Sequence, residues 1–523
     1  MIYSSATVFF SHDHHKLHAA RFSRLHELAD LLTDSFEDVK AGLILGISHF
    51  NHIVSVRPTP KRQELGNLLI CARSRAGKGL LAVAQILSWP HSIIVNDIKG
   101  ELYNATAADR ARVGIVVVVD PQAVGSRYDP FSSRYSEDKL YSSAKHLLFD
   151  PNDRDGSIFT QRASKMLTQI FLAARAENRQ ASATNPLAKQ YFLLPYVREI
   201  VDLGLKGTAG RLNTISPQLA VRFLDEPFDP RKDYSENRFL TSAWETLTSR
   251  LFPLLTEDII RCFNGADFSA QELMTSKKPI TVYLRWPEQD LLALSPLVRL
   301  LWSSLIDSLI THYDERQGKG CKPVLLLVDE AGRTAIPMLA DASTTIVGRK
   351  ISLWMAIQSL SQLEAVYGKA RAQILRDNMD SQLFYRPTDL QTAKYLEERL
   401  GSVSAYARSH TLRHGDETSE GRSERPIPLL SSQDIALMSD EQVIAFHRNY
   451  RPMRLTRCDW RKYPNLARRQ GGKPPPLSAL PKLDRSAKLT AKTTGKTPQG
   501  YIDPDRRSTP AKPSQKRQQT IFK

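Results

Sequence analysis

The stretch NLLICARSRAGKG, residues 67–79, decides the fold. Asn67–Cys71 is a short apolar run of strand size, and it ends in a turn. Leu80–Trp89 then carries apolar residues at helical spacing until Pro90 stops it. Strand, tight loop and helix in this order are the setting of a P-loop. There, backbone N–H groups of the loop and of the helix N-terminus converge on phosphate oxygens, and a lysine reaches the terminal phosphates. The match to G-x-x-x-x-G-K-[ST] is incomplete. Ala72 replaces the first glycine, and Gly79 replaces the hydroxyl residue that ordinarily ligates Mg²⁺. Lys78 is the candidate phosphate ligand, with Ser74, Arg75, Ala76, Gly77, Gly79 and Leu80 shaping the loop and first helical turn around it.

A second stretch answers the first. Val324–Asp329 reads as a strand, apolar through Val328 and ending in the two carboxylates Asp329 and Glu330. In P-loop ATPases an aspartate at such a strand end serves Mg²⁺, and the next glutamate polarises the attacking water. Loop and acidic strand end together point to a nucleotide hydrolase using ATP and Mg²⁺. Asp329 is then the metal residue, and Glu330 and Lys78 are catalytic.

Further apolar runs extend the pattern. Ser92–Asp97, Gly114–Asp120, Ile280–Arg285, Leu353–Gln358 and Gln382–Arg386 read as strands separated by helices, which predicts a parallel sheet covered on both faces. Between Glu137 and Met274 the period changes. Phe159–Ala174, Tyr191–Leu205 and Thr241–Leu255 repeat apolar residues at helical spacing, and no convincing strand is visible. Ser295-Pro296 reads as the cap and first residue of another helix, with Leu297, Leu301, Leu305 and Leu309 on one face. The expected fold is α/β. It is a RecA-like P-loop ATPase domain with a mostly parallel sheet, interrupted by an inserted all-α domain and followed by a disordered basic tail. The expected boundaries are an N-terminal helical segment at 1–41, the first ATPase part at 42–136, the insertion at 137–276, the second ATPase part at 277–470, and the tail at 471–523.

Composition supports this layout. The 523 residues are 41% hydrophobic, enough for a large core, which excludes a wholly disordered or collagen-like chain. Four widely spaced cysteines with no C-x-x-C pair argue against a zinc ribbon, redox motif or disulfide scaffold, and fit a reducing compartment. The net charge is +17, from 72 Lys+Arg against 55 Asp+Glu. It is unevenly spread: residues 471–523 hold 12 Lys+Arg and 3 Asp+Glu, hence +9. That segment is rich in Pro, Lys, Thr and Ser, and we read it as a disordered arm able to contact nucleic acid or a partner. Ser409–Arg425, rich in charge, Gly and Ser, reads as a mobile surface loop. No run of about 18 apolar residues and no signal peptide is visible. Lys16–Thr33 reads as a short amphipathic helix, and His12-Asp13-His14-His15 as a solvated stretch rather than a metal site.

Four stretches, in order, carry a family resemblance: NLLICARSRAGKG, SWPHSIIVNDIKGELYNATAADR, VLLLVDEAGR and VGRKISLWMAIQSLSQLEAVYG. A closing segment, RPIPLLSSQDIALMSDEQVIAFHRNYRPMRLTRCDW, belongs with them. Together they resemble the TraG/TraD-type coupling proteins of type IV secretion and conjugation, in the FtsK/HerA group of ring ATPases. The resemblance runs from about Gly42 to Tyr463. In that family glycine after the P-loop lysine is a usual variant, and an all-α domain interrupts the ATPase domain at this place. The resemblance implies that Gln358 senses the γ-phosphate and that Arg349 is offered across a subunit boundary, with Arg333 and Lys350 as competing basic residues. Asp97, Lys99 and Glu101 match the family's D-x-K-G-E turn.

It also implies a function. The chain would be an ATP-hydrolysing coupling protein that pumps DNA, with its relaxase, to a type IV secretion channel. It would act as a homo-hexamer, cytoplasmic and peripheral at the inner face of the bacterial cell membrane. Many members begin with two membrane-spanning helices and none is visible here, so membrane contact would run through a partner or the N-terminal segment. Two alternatives stand beside it. One is a soluble HerA/FtsK-like DNA translocase or protein-substrate recruiter. The other is a non-hydrolysing DNA-binding adaptor.

Overall fold

The structure is a computed structural model. It describes residues 7–9, 19–60 and 63–477, apart from 122, 124, 132–134, 151–156, 186–189, 334, 337, 413–417 and 471, and omits the side chains of 7–9 and 406–423. The His12–His15 stretch lies outside the described residues, as do residues 478–523 of the tail.

The predicted strands assemble into one 12-stranded sheet. Seven of them are parallel: β1 (Leu68–Cys71), β2 (Ser92–Asp97), β3 (Ile115–Val119), β4 (Ile280–Arg285), β5 (Val324–Val328), β6 (Ile351–Ile357) and β7 (Ser381–Phe384). Across the sheet they run β7-β1-β6-β5-β2-β4-β3. Beyond β7 the sheet continues antiparallel through Gln442–His447, Met453–Thr456, Leu43–Ile47, Ile53–Val56 and Leu32–Thr33. The parallel strands read as unbroken apolar runs because both their faces are covered. Alternate residues enter different cores: Leu69 and Cys71 face one, Leu68 and Ile70 the other. All four cysteines are buried and free.

Eight α-helices, from Glu137–Leu147 to Ala270–Thr275, lie between β3 and β4, with no strand among the described residues there. The helix Ile158–Thr184 is their centre, burying Leu167, Ile170, Phe171 and Ala174 against its neighbours. Their core is continuous with one face of the sheet. The division of the chain at 137 and 276 therefore stays a proposal, as do the other domain boundaries.

Three local expectations need correction. The described residues of Ser409–Arg425 are strand rather than loop. Ser402–Leu412 and Thr418–Pro428 form an antiparallel hairpin, and Thr7–Phe9 adds a third strand. Main-chain hydrogen bonds carry such a ladder without an apolar run, so composition hides it. Ser295-Pro296 does not open its helix. The helix runs from Leu291 to Arg316 with Asp290 as N-cap residue and Pro296 inside. A proline one turn in forfeits a single helical hydrogen bond. Burial of Leu291 and Leu294 favours the extra turn. Lys16–Thr33 holds only a 3-10 turn, Leu25–Leu31, before the short strand Leu32–Thr33; residues 16–18 lie outside the described ones.

Among the described residues, Leu291–Arg316 is the one helix long and apolar enough to cross a membrane by length and composition. In its apolar window 78% of the residues lie inside the protein, so here it serves as a core helix.

Candidate nucleotide site

Parallel strands bring their C-terminal ends to one edge, where ligands of open α/β sheets bind. β1 delivers the loop to that edge. Ala72, in place of a glycine, is buried, and its N–H donates to the Ile357 carbonyl of β6 at 2.9 Å. A side chain at 72 thus packs into the core rather than obstructing the loop. The turn itself needs left-handed backbone. Arg75 has φ +63° and Gly77 φ +105°, and Gly77 is the N-cap residue of the helix Lys78–Ser88. That conformation costs glycine little, which explains its place before the lysine.

Lys78 is 7% exposed and turns toward the acidic strand end, with Nζ 3.4 Å from Glu330 Oε1. Lys99 Nζ approaches the same oxygen at 3.4 Å, and Arg333 Nε lies 2.8 Å from Oε2. Burial alone would raise the Glu330 carboxyl; Lys78, Lys99 and Arg333 outweigh it and hold it below the usual range. Glu330 also sits at φ +56°, a left-handed conformation uncommon outside glycine, where sites store strain.

Asp329 is treated oppositely. Burial pushes it up to about 6; Lys78 opposes this, while Glu330 and Asp97 add to it. Its neighbour Asp97 is also raised by burial, against hydrogen bonds from the N–H groups of Tyr103 at 2.7 Å and Leu102 at 3.3 Å. Asp97 thus caps the helix Glu101–Val113, while Lys99 of the same turn reaches Glu330.

These groups share a cleft of about 740 Å³. Ser74, Arg75, Gly77, Lys78, Gly79 and Leu80 line its loop side, and Asp329 and Glu330 its floor. Asp97, Lys99 and Glu101 add the β2 turn. Ala76 lies behind the lining, where its carbonyl accepts from Arg457 Nη1 at 3.4 Å. Gln358 stands at the end of β6 beside the loop. Its N–H donates to Gln362 Oε1 at 3.0 Å, and it is not part of the lining. Arg349 precedes β6, at the other edge of the sheet, and is bonded to Asp314 at 2.8 and 2.9 Å. Of the competing basic residues, Arg333 is the one at the site; Lys350 donates to the Cys321 carbonyl at 3.2 Å.

The remaining wall comes from Arg457, Trp460 and Arg461, which sequence reasoning did not single out. They follow the strand Met453–Thr456, in the quoted segment RPMRLTRCDW. A Trp among arginines just after a strand was the available signal, but no spacing ties it to the loop.

The donor set fits Mg²⁺. Asp329 is a hard oxygen donor whose raised protonation marks a buried carboxylate lacking full compensation, which a divalent cation supplies. Gly79 brings no hydroxyl, and a Cβ there would meet nothing within 4 Å, so water has room on the loop side.

The family model described as type IV secretory system conjugative DNA transfer matches residues 61–483. The chain belongs to this family. Among curated relatives, protein VirD4 of Rhizobium radiobacter is 26% identical over 447 residues, covering 81% of this chain and 61% of its own length. The conjugal transfer protein TraG of Escherichia coli is 24% identical over 362 residues, 65% of this chain and 55% of its own. The chain thus spans about three fifths of the length of these relatives. The bacterial conjugative coupling protein TrwBdeltaN70, in its unbound form, shares the fold with TM-score 0.57 and 16% identity, over 84% of this chain and 92% of that one. TrwB in complex with ADP and Mg²⁺ aligns with TM-score 0.51 and 17% identity, over 75% and 84%.

Proposed function

We propose that this family member is an ATP-driven coupling protein that brings DNA, with its relaxase, to a type IV secretion channel and pumps it there as a ring of six copies. One observation carries the reading: Lys78 and the Asp329–Glu330 pair meet across a single cleft, in a chain whose family model is conjugative DNA transfer. The complex of TrwB with ADP and Mg²⁺ supports the choice of ligands.

In this reading the loop N–H groups and Lys78 hold the β- and γ-phosphates. Asp329 holds Mg²⁺, which when bound neutralises charge on the phosphates. Glu330, kept ionised by its three cations, accepts a proton from the attacking water. For that, Lys78 must leave Glu330 for phosphate oxygen, which frees one of the carboxylate's partners for water. Gln358 would sense the γ-phosphate from the neighbouring strand end, outside the cleft lining. Arg349 takes part only if it reaches a nucleotide held by another copy. Trp460 and the apolar stems around it suit the nucleobase face.

The test is ATP hydrolysis by the full chain with and without DNA. DNA should stimulate phosphate release, and Lys78→Ala should abolish it. Full activity in that variant would sink the site; DNA binding without any turnover in the parent would favour a non-hydrolysing adaptor.

A further inference from the structure

Three arginines are more than nine-tenths buried among the described residues: Arg110, Arg162 and Arg299. The first two have acceptors. Arg110 donates to Thr281 and to the carbonyls of Trp89 and His91. Arg162 donates to the carbonyls of Arg222 and Phe223 and pairs with Asp225 at 3.0 Å. Arg299 has none. It lies in the third turn of the helix Leu291–Arg316, 8% exposed, with its guanidinium carbon 3.4 Å from the centroid of the Phe149 ring. Its Nε is buried and donates to no acceptor among the described residues.

The permanently charged groups that act on Arg299 and on His146 are cations. Burial and then Arg371 push the Arg299 guanidinium down to about 10, against a small opposing pull from Tyr367. His146, on the helix Glu137–Leu147, is pushed down to about 4 by burial, Arg299, Lys139 and Lys145. Nearby acids are already engaged: Asp307 with Lys139 at 2.7 Å and Asp150 with Arg250 at 3.5 Å. An aromatic face returns less than the desolvation of a guanidinium costs, so the fold gains nothing from this charge. A cost of this kind is characteristic of functional sites.

Its position fits a cargo contact. Tyr367 ends the helix that follows β6, and its hydroxyl accepts from the Ile336 N–H in the segment that follows β5. Tyr367, whose hydroxyl acts electrostatically on Arg299, thus links the surroundings of Arg299 to the segments that follow β5 and β6, and Arg299 is not part of the cleft lining. Arg371, whose charge acts on Arg299, is exposed on the helix Lys369–Asp377. A planar guanidinium whose carbon lies 3.4 Å from a ring centroid, within electrostatic reach of a second guanidinium, matches a phosphate oxyanion.

We propose that Arg299, with Arg371 and His146 around it, is the seat of a backbone phosphate of the transported DNA. This rests on the DNA reading above. A phosphate contact of this type positions the nucleic acid without reading its sequence.

The test uses the full chain and Arg299→Met, which keeps an apolar stem and removes the charge. Binding of fluorescein-labelled single-stranded and duplex DNA is followed by anisotropy between about 50 and 200 mM salt. The variant should bind roughly threefold to tenfold more weakly, with a salt slope smaller by about 0.7–0.9, one phosphate's worth. It should melt at the same or a higher temperature, because a buried unpaired charge is gone. Arg371→Ala should show a smaller loss of the same kind. A lower melting temperature with unchanged DNA affinity would overturn the proposal and make Arg299 structural. Unchanged affinity with lost self-association would overturn it in favour of a carboxylate from a second copy. Protection of the parent alone by inorganic phosphate, again with unchanged DNA affinity, would overturn it in favour of a free anion. If the parent binds neither strand form, the DNA reading itself falls; if parent and variant bind equally, only this seat does.

Discussion

The two edges of the parallel sheet handle charge in opposite ways. At the C-terminal edge charges are buried and unevenly matched. Glu330 faces Lys78, Lys99 and Arg333, while Asp329 beside it is pushed toward neutrality. At the N-terminal edge Arg349 and Asp314 form a two-pronged pair, 28% and 49% exposed, and each meets its opposite. Balanced, solvated pairs contribute little and ask for nothing more. The imbalance at the other edge is what a bound nucleotide and its cation would correct: phosphate oxygens would take Lys78, and the cation would take Asp329. The contrast sets the proposed nucleotide edge apart from the opposite one, and it can be broken by removing one charge at a time.

The largest effect is expected at Glu330. Glu330→Gln keeps the size and removes the proton acceptor. ATP turnover, measured as phosphate release, should fall about 10²-fold or more, the usual range for a general base. Nucleotide binding, followed with a fluorescent ATP analogue, should persist. Turnover within threefold of the parent would mean that Glu330 only balances the cations around it.

Asp329 tests the same edge through stability. Its folded value is raised to about 6 from the ordinary 3.8. The folded chain therefore holds this proton more tightly than the unfolded chain does. The stability linked to that proton is fully present below pH 4 and is lost as pH rises to 6, above which the buried charge costs up to about 3 kcal/mol. Asp329→Asn removes that cost. Without nucleotide, the variant should melt higher than the parent at pH 7.5, and the gap should narrow toward pH 5. Mg²⁺-dependent nucleotide binding should be lost in the same variant. A lower melting temperature at pH 7.5 would show that Asp329 is already compensated without a cation.

Much of the C-terminal edge was legible because its strands are apolar runs bounded by unlike residues. Ser92–Asp97 and Ile280–Arg285 were read to the residue. Lys78 and Asp329–Glu330 were readable because each ends or follows such a run, and parallel topology then forces them to one edge. The opposite wall was not. Arg457, Trp460 and Arg461 reach the cleft only because the chain returns across it some 380 residues after the loop, and no local spacing records that return. The hairpin Ser402–Leu412 with Thr418–Pro428 escaped for another reason: backbone pairing leaves no mark in a polar sequence. Pro296 misled because helix-start signals are local, while the burial that draws the helix back to Leu291 is tertiary. The resemblance to coupling proteins covered these gaps in family and layout, but it did not point to the residues of the far wall.

Arg349 should show the smallest effect. Within its own chain it is bonded to Asp314, which raises its affinity for its proton, and the sheet's length separates it from Lys78. Arg349→Ala should change the melting temperature little, because exposed pairs contribute about 0–1 kcal/mol. Turnover at low protein concentration, where copies are separate, should stay within about twofold of the parent. Turnover at concentrations that favour assembly is the sharper measurement. A loss there of about 10³-fold or more, the scale of an arginine supplied in trans, would show that this edge meets the nucleotide edge of a neighbour. In that case the two edges would differ in charge balance only within a single copy, and the exposed pair with Asp314 would be the resting place of a catalytic arginine. An unchanged rate at both concentrations would leave Arg349 to Asp314, and Arg333, already at Glu330, would become the guanidinium to remove next.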